Sequence, residues 1–455
     1  MSSPRSAADR PLNLLDAPPM RAIVRLALPT TGVMVIATAS NVLHTYYVSR
    51  LGAEAIAAVS LVFPISLLAI TIMAGGVGAG ASSAIARALG GNSVRDAVAI
   101  SETSMTLATA IGAAFAAIIF FGAPRLFAIM GGRGAILDAA VLYARVLFGG
   151  AAVTFVGSML DSVMRGEGNV RIPSIWASVS LVTQIVLTPI VMFVFGLGLI
   201  GAPLAMLTAQ LIATIPRARY VFGGHGIVRP SLLRLAFHGG ALREILRVGI
   251  PASLSTTVNY VGIMILTGLL ARFGDAHLAA YGLATRMDFL LLSFAYGFGA
   301  AVLTLVGMAT GAQQPDRALT YVVRAGAMMV ALLTVAGGLL SWRPDLWIGL
   351  FTADAGIHAV GRDYFQIIGM SYPFMGVSMV IAFAFQGLGR ATVPLVLMLT
   401  RVVGVLAVAL FCTQSLGMGE HAVFLCVAGG NVLSAFAMLA LFARTHRSLT
   451  NEARG

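Results

Sequence analysis

The stretch IVRLALP at residues 23–29 returns as ILRVGIP at residues 245–251, which sets Ile23, Arg25 and Pro29 on Ile245, Arg247 and Pro251. The same offset of 222 residues sets Arg50 on Arg272, Gly52 on Gly274, and Ala57 and Ala58 on Ala279 and Ala280. Further on, an offset of 221 takes over. Gly90 meets Gly311, Ala97 meets Ala318, Gly166 and Gly168 meet Gly387 and Gly389, Pro173 meets Pro394, and Gly196 and Gly198 meet Gly417 and Gly419. Alanine falls on alanine by chance in a chain of this composition. Glycine, proline and arginine in one sustained register carry the weight, and they predict a duplicated architecture with a single-residue gap.

Both copies are strongly apolar. The 455 residues are 58% hydrophobic and 10% charged, against about 25% charged in an ordinary soluble domain. That leaves too little polar surface to coat a water-soluble particle, so lipid is the expected solvent. Stretches near the roughly 20 apolar residues needed to cross a bilayer are expected at 23–48, 55–86, 96–121, 137–164, 172–194 and 199–221. The second copy supplies 245–270, 277–309, 317–341, 358–385, 392–413 and 421–444. The fold class is therefore an all-α integral membrane protein of twelve transmembrane helices. Six spans per copy is an even number, so both copies enter the membrane in the same direction. Two parallel six-helix bundles related by a pseudo-two-fold axis along the membrane normal follow, an architecture in which substrate passes between the halves.

The layout expected is a cytoplasmic tail at 1–22, an N-terminal lobe at 23–221, a linker at 222–244, a C-terminal lobe at 245–444 and a tail at 445–455. Pro230 and neighbouring glycines break the linker, which suits a flexible cytoplasmic connection. No short apolar core with a cleavage site follows the polar start, so the first apolar stretch is expected to stay as a span. With both termini in the cytoplasm, the outer loops keep only Arg50, Arg125, Arg133, Arg272 and Arg343, while the other loop and tail arginines lie inside. The net charge of +12 is thus read as a bacterial-type plasma (inner) membrane protein and not as a nucleic-acid surface. Cys412 and Cys426 form no disulfide framework and no CxxC metal site. No HExxH or nucleotide-binding loop is present, which argues against an enzyme or an ATP-driven pump.

Several segments, taken in order, resemble the multidrug and toxic compound extrusion (MATE) transporters of the multidrug, oligosaccharidyl-lipid and polysaccharide exporter group. They are NVLHTYYVSRLG at 41–52, ALGGNSVRDA at 88–97 with its echo TGAQQPDRA at 310–318, MRGEGNVRIP at 164–173 and FGLGLIGA at 195–202. The likeness covers nearly the whole chain. It implies secondary active efflux, an antiporter that exports small amphipathic or cationic organic compounds by alternating access. A flippase for lipid-linked saccharides is the alternative within the group, and an unrelated twelve-helix transporter is the second alternative.

The chain departs from the family's pattern where the family keeps its acids. The first-span aspartate position is His44, in the motif that begins at Asn41. The fifth-span Asn-x-x-x-Asp-Pro position reads Gln184 and Thr188 before Pro189. A seventh-span glutamate position is Asn259. An intramembrane carboxylate can carry a proton or a sodium ion, whereas Gln184, Thr188 and Asn259 can only hydrogen-bond. His44 titrates near neutrality and is expected to join Gln184 and Thr188 in a polar cluster, either as a proton carrier or as a neutral hydrogen-bonded ring. Asp288 is the remaining acid deep in a span, either a cation or proton site or half of an ion pair with Arg401; Arg286 is two residues away on another helix face. Asp161 is expected to pair with Arg165 one turn later. A proton is the expected coupling ion, with sodium as the alternative. No cofactor and no metal are expected, and the chain is expected to act as a monomer.

Overall fold

A computed structural model describes residues 14–231 and 237–454. Arg5 and Arg10 of the expected tail and Arg234 of the expected linker lie outside the described residues. In lipid a backbone N–H or C=O left without a partner costs several kcal/mol, so only helices and closed barrels can span. Among the described residues every regular element is helical. The spans run Pro19–Ser49, Ala53–Gly90, Val94–Ile129, Gly134–Gly166, Arg171–Val194 and Gly198–Phe222, then Gly239–Phe273, Asp275–Gly311, Pro315–Trp342, Ala355–Gly387, Thr392–Gln414 and Glu420–Asn451. Span four is a pair of helices bent by 45° at Gly150, and counting that pair as one gives twelve. Hydroxyls in the spans donate to the carbonyl one turn back, as in Thr45 to Asn41 (3.0 Å), Ser104 to Ile100 (2.7 Å) and Thr413 to Ala409 (2.8 Å). Each is satisfied without a neighbouring helix.

The duplication is written in backbone angles. Turn residues with positive φ recur at the repeat offsets: Gly52 at 102° and Gly274 at 121°, Gly168 at 81° and Gly389 at 75°, Gly196 at 68° and Gly417 at 63°. Two non-glycine residues follow the same rule, Asn92 at 58° and Gln313 at 55°. Both sit in the left-handed region that L-residues seldom visit, at equivalent turns after spans two and eight. The bend of span four also has its counterpart, a 3₁₀ turn at Gly369–Ser371 in span ten. The single-residue gap has a structural home. Span two contains a π-helical segment, Thr71–Val77, where span eight is α-helical throughout. A π segment is how a helix absorbs one inserted residue without breaking, and it lies between the part of the chain in register at 222 and the part in register at 221.

The described chain forms two compact units. One contains Pro29–Ile250, and the other contains Ala17–Leu28 together with Pro251–Gly455. Besides a crossing at Ala17, the chain passes between units at Pro29 and Pro251, the equivalent prolines of the opening motif. Within the first unit a Cβ on Gly80 would collide with the Ile245 carbonyl, so a glycine is what allows the start of span seven to pack there. Span seven begins at Gly239 and span twelve continues as helix to Arg454. Both helices therefore extend through residues expected to be linker and tail, since arginine-rich turns outside an apolar core hold a helix as well as a coil.

The described part of the linker is tied to the first unit rather than loose. Glu167 accepts from the Val228 N–H at 2.8 Å, Glu102 from the Ser231 N–H at 3.0 Å, and the Thr103 hydroxyl from the His238 N–H at 3.2 Å. Glu167 lies between spans four and five and is buried. Burial pushes its carboxyl up to about 7, against the pull of the Val228 and Ile227 N–H groups. A carboxyl whose folded pKa is raised binds its proton more tightly in the folded state. Its contribution is therefore full below its ordinary value and is lost as pH rises through the folded one. Between pH of about 5 and about 8 the wild type should lose thermal stability relative to Glu167→Gln, by an amount on the order of 1–3 kcal/mol. Parallel melting profiles across that range would remove Glu167 from this role.

Candidate functional site

Each unit has its own polar centre. In the first, a cavity of about 240 Å³ is lined by Thr30, Ser158, Asp161, Arg165 and Gln210 among apolar side chains including Met34 and Met73. Asp161 is the acid of this centre. Its Oδ2 lies 3.2 Å from Arg217 Nη1 and 4.0 Å from Arg165 Nη2. The expected pairing with Arg165 exists, but the closer partner is Arg217, whose side chain is 2% exposed. Asp161 Oδ1 and Arg217 Nε are buried without a hydrogen-bond partner among the described residues. Gln210 accepts from the Ser180 hydroxyl at 3.0 Å, so it is fixed beside the cavity.

The sequence-predicted residues of this unit are dispersed. His44 Nε2 lies 3.2 Å from the hydroxyl of buried Tyr143 and hydrogen-bonds that group rather than Gln184 or Thr188. Thr188 is buried and donates to the Gln184 carbonyl of its own helix at 2.7 Å. Asn41 is exposed and donates to the Ala37 carbonyl at 3.3 Å. Tyr143 and Arg217 are among the residues that the sequence reading did not assign to the site. Arg217 read as a loop arginine because it closes a span. Its partner is 56 residues away, a separation that no local periodicity encodes.

In the second unit the centre is Asp288 in span eight. Tyr364 donates to its Oδ2 at 2.5 Å and Tyr372 to its Oδ1 at 2.6 Å, both from span ten. Each carboxylate oxygen thus receives one hydroxyl. Tyr364 is boxed by the rings of Tyr281 at 5.9 Å and Phe424 at 5.3 Å, which fixes the donor's position. The ion pair expected as one alternative is absent among the described residues. Arg401, half-buried in span eleven, points a guanidinium nitrogen at Met398 Sδ at 3.9 Å, and Arg286 is exposed. Asn259 is half-buried in span seven. Nearby, buried Asn431 donates to the Ser371 hydroxyl at 2.9 Å. The 3₁₀ turn that carries Ser371 is thereby tied to span twelve. Two hydroxyl donors stabilise a carboxylate without fixing its charge as an arginine does. A proton can therefore be taken up and released with only a rearrangement of hydrogen bonds.

Comparison with known proteins places these centres in context. A family model described as MatE matches residues 29–190 and 251–412, one match per repeat, each beginning at an equivalent proline. A protein named FAD transporter from Shewanella oneidensis is 25% identical over 400 residues, 86% of this chain and 87% of that protein. Multidrug export protein MepA from Staphylococcus aureus is 25% identical over 386 residues, 83% of this chain and 82% of its own. Among solved structures, a multidrug resistance MATE family transporter of the MOP superfamily in an outward-facing conformation aligns with a TM-score of 0.91 at 26% identity, covering 97% of this chain and 99% of that one. A transporter of the same superfamily from Pyrococcus furiosus, described as having a binding pocket of reversed polarity, aligns with a TM-score of 0.89 at the same identity and coverage.

Breaking a buried ion pair from one side leaves an uncompensated charge and costs about 3–5 kcal/mol, whereas removing both charges is nearly neutral. Arg217→Met should therefore lower the melting temperature of the purified protein strongly, and the double variant Asp161→Asn/Arg217→Met should recover most of the loss. A double variant no more stable than the single one would show that the pair is not what holds this centre.

Proposed function

Because this chain belongs to the MatE family of membrane transporters, we propose that it is a proton-coupled exporter of small organic compounds in which Asp288 is the proton-carrying group. It works as an antiporter by alternating access, in a plasma (inner) membrane with both termini on the cytoplasmic side, as a monomer that contains both repeats. The arginine asymmetry of the loops supports the orientation. The observation that carries the coupling assignment is the carboxylate of Asp288 held by two tyrosine hydroxyls and, among the described residues, by no arginine.

The chemistry supplies a coupling step. As a carboxylate, Asp288 accepts from Tyr364 and Tyr372 together. Once protonated, one oxygen becomes a donor and competes with the tyrosine that had donated to it. One bond between spans eight and ten weakens, and the two protonation states favour different arrangements of those spans. A ligand shifts a conformational equilibrium only by its differential affinity for the two states, and the proton has that difference here. In the first unit the acid is neutralised by Arg217, and His44 is engaged with Tyr143, so neither is assigned the coupling role.

The substrate class is small amphipathic or cationic organic compounds, in keeping with the multidrug exporter among the relatives. A second reading has its own support. Arg401 is a half-buried cation in span eleven without a carboxylate partner among the described residues, which favours an anionic substrate such as a dinucleotide or a saccharide diphosphate lipid.

Proteoliposomes containing the wild type should move a cationic dye against an opposing proton gradient and should not respond to a sodium gradient alone. Asp288→Asn should lose at least tenfold in gradient-driven transport while remaining folded, and His44→Ala should retain it. Undiminished proton-driven transport by Asp288→Asn would overturn the coupling assignment. Transport of FAD and not of the dye would overturn the substrate class and leave the coupling assignment standing.

A further inference from the structure

A second group of titratable side chains lies in the second unit, at the end where spans eight and twelve begin. His277 is the third residue of span eight, Glu420 and His421 open span twelve, and Asp363 stands two turns into span ten. Ligand atoms of Asp363, Glu420 and His421 all lie within 4.8 Å of one another. His421 brings Nε2 to 3.1 Å from Asp363 Oδ2 and Nδ1 to 3.6 Å from Glu420 Oε1. The same Glu420 Oε1 lies 3.5 Å from His277 Nε2. One carboxylate oxygen therefore faces two imidazole nitrogens, and one imidazole has a carboxylate at each nitrogen.

Two further observations separate this cluster from an ordinary surface ion pair. None of these approaches has hydrogen-bond alignment, and among the described residues no arginine neutralises Asp363 or Glu420. Another histidine–acid pair of this unit is different. His358 Nδ1 meets Asp345 at 2.8 Å, its Nε2 meets the Thr352 carbonyl at 2.9 Å, and Arg362 supports Asp345 at 3.3 Å. That pair is complete as hydrogen bonds. Asp363, Glu420 and His421 bring donor atoms together without completing hydrogen bonds, and His277 stands beside them with Nε2 toward Glu420. Two carboxylates and one imidazole nitrogen within 4.8 Å of one another, not joined by aligned hydrogen bonds, are an arrangement that a cation completes.

We propose that Asp363, Glu420 and His421, with the neighbouring His277 closing in as the fourth ligand, form a binding site for a divalent transition metal, with zinc as the matching ion. Two imidazoles and two carboxylates are a borderline donor set, which suits zinc and its neighbours and not the oxygen-seeking calcium or magnesium. Closing onto bonds of about 2.0–2.2 Å draws together side chains that are 20–57% exposed, so rotamer changes suffice. The bound ion ties the beginnings of spans eight and twelve to span ten. These are the helices that carry Asp288, Phe424 and the two tyrosines. The inference does not rest on the transport assignment, because its test reads the metal directly.

The test is calorimetric titration of Zn²⁺ into full-length, tag-free, metal-stripped protein in detergent at neutral pH. The wild type should bind one equivalent, without competition from excess Mg²⁺. His421→Ala and Glu420→Gln should each weaken binding at least tenfold. His358→Ala should bind as the wild type does. Size-exclusion profiles and melting in the absence of metal establish that each variant is folded. No binding by the wild type, or undiminished binding by both His421→Ala and Glu420→Gln, would overturn the site.

Discussion

The constraint on which everything else depends is that no water is available inside a bilayer to satisfy a backbone amide. It explains why the chain is helical wherever it is apolar, and also what happens at every interruption. An extra residue in span two is absorbed as a π segment instead of a loop, because a π turn keeps the amides hydrogen-bonded. The breaks in spans four and ten are a bend at Gly150 and a 3₁₀ turn at Gly369–Ser371, which also keep the hydrogen-bond ladder nearly whole. Many of the hydroxyls follow the same rule by bonding within their own helix. Genuine reversals, with positive φ, are confined to the turns between spans.

Charged side chains obey the constraint in two ways. Asp161 is answered by a buried guanidinium at 3.2 Å, an ion pair of opposite charges. Asp288 is answered by two hydroxyls at 2.5 and 2.6 Å, which lower the cost of the charge without requiring it. The proposed coupling role falls to the second kind, because an intramembrane acid that carries a proton must be able to change its charge. The ion pair on one side and the hydroxyl-held carboxylate on the other are therefore two different solutions to the same desolvation cost.

The spans, the duplication and its register were legible because each is a local property. Hydropathy gives length, and glycine, proline and arginine mark the turns with their own φ preferences. Even the one-residue gap between offsets was visible before its π segment was. The sites were legible only in part. Asp288 stood out because an acid deep inside an apolar span needs an explanation, but its partners Tyr364 and Tyr372 lie 76 and 84 residues away. Tyrosines in an apolar helix look like packing until a carboxylate is found beside them. The arginines drew attention instead, because charge is conspicuous in sequence. Arg286 and Arg401 proved to be elsewhere, and Arg217, counted with the loops, proved to be the buried one. The linker misled for a related reason. Proline and glycine mark the absence of helix, not the presence of motion, and the carboxylates that tie this segment down belong to distant turns.

The register permits a last comparison between the copies. Before the π segment the offset is 222, so Asp288 stands on Ser66; after it the offset is 221, so Asp161 stands on Ala382. Each acid is thus matched by a neutral residue in the other copy. Ser66 hydrogen-bonds its own helix at the Val62 carbonyl, 3.3 Å away, as any hydroxyl in a span can. The duplicated backbone imposes the same helices, turns and breaks on both halves, but it imposes no charge on either. A symmetric pair of titrating acids would require two protonation events to be coordinated across the molecule. With Asp288 as the proposed coupling acid, an ion pair in one half and a hydroxyl-held carboxylate in the other would confine the change of charge to one centre. Repetition supplies the scaffold, and the departures from repetition supply the direction of the chemistry.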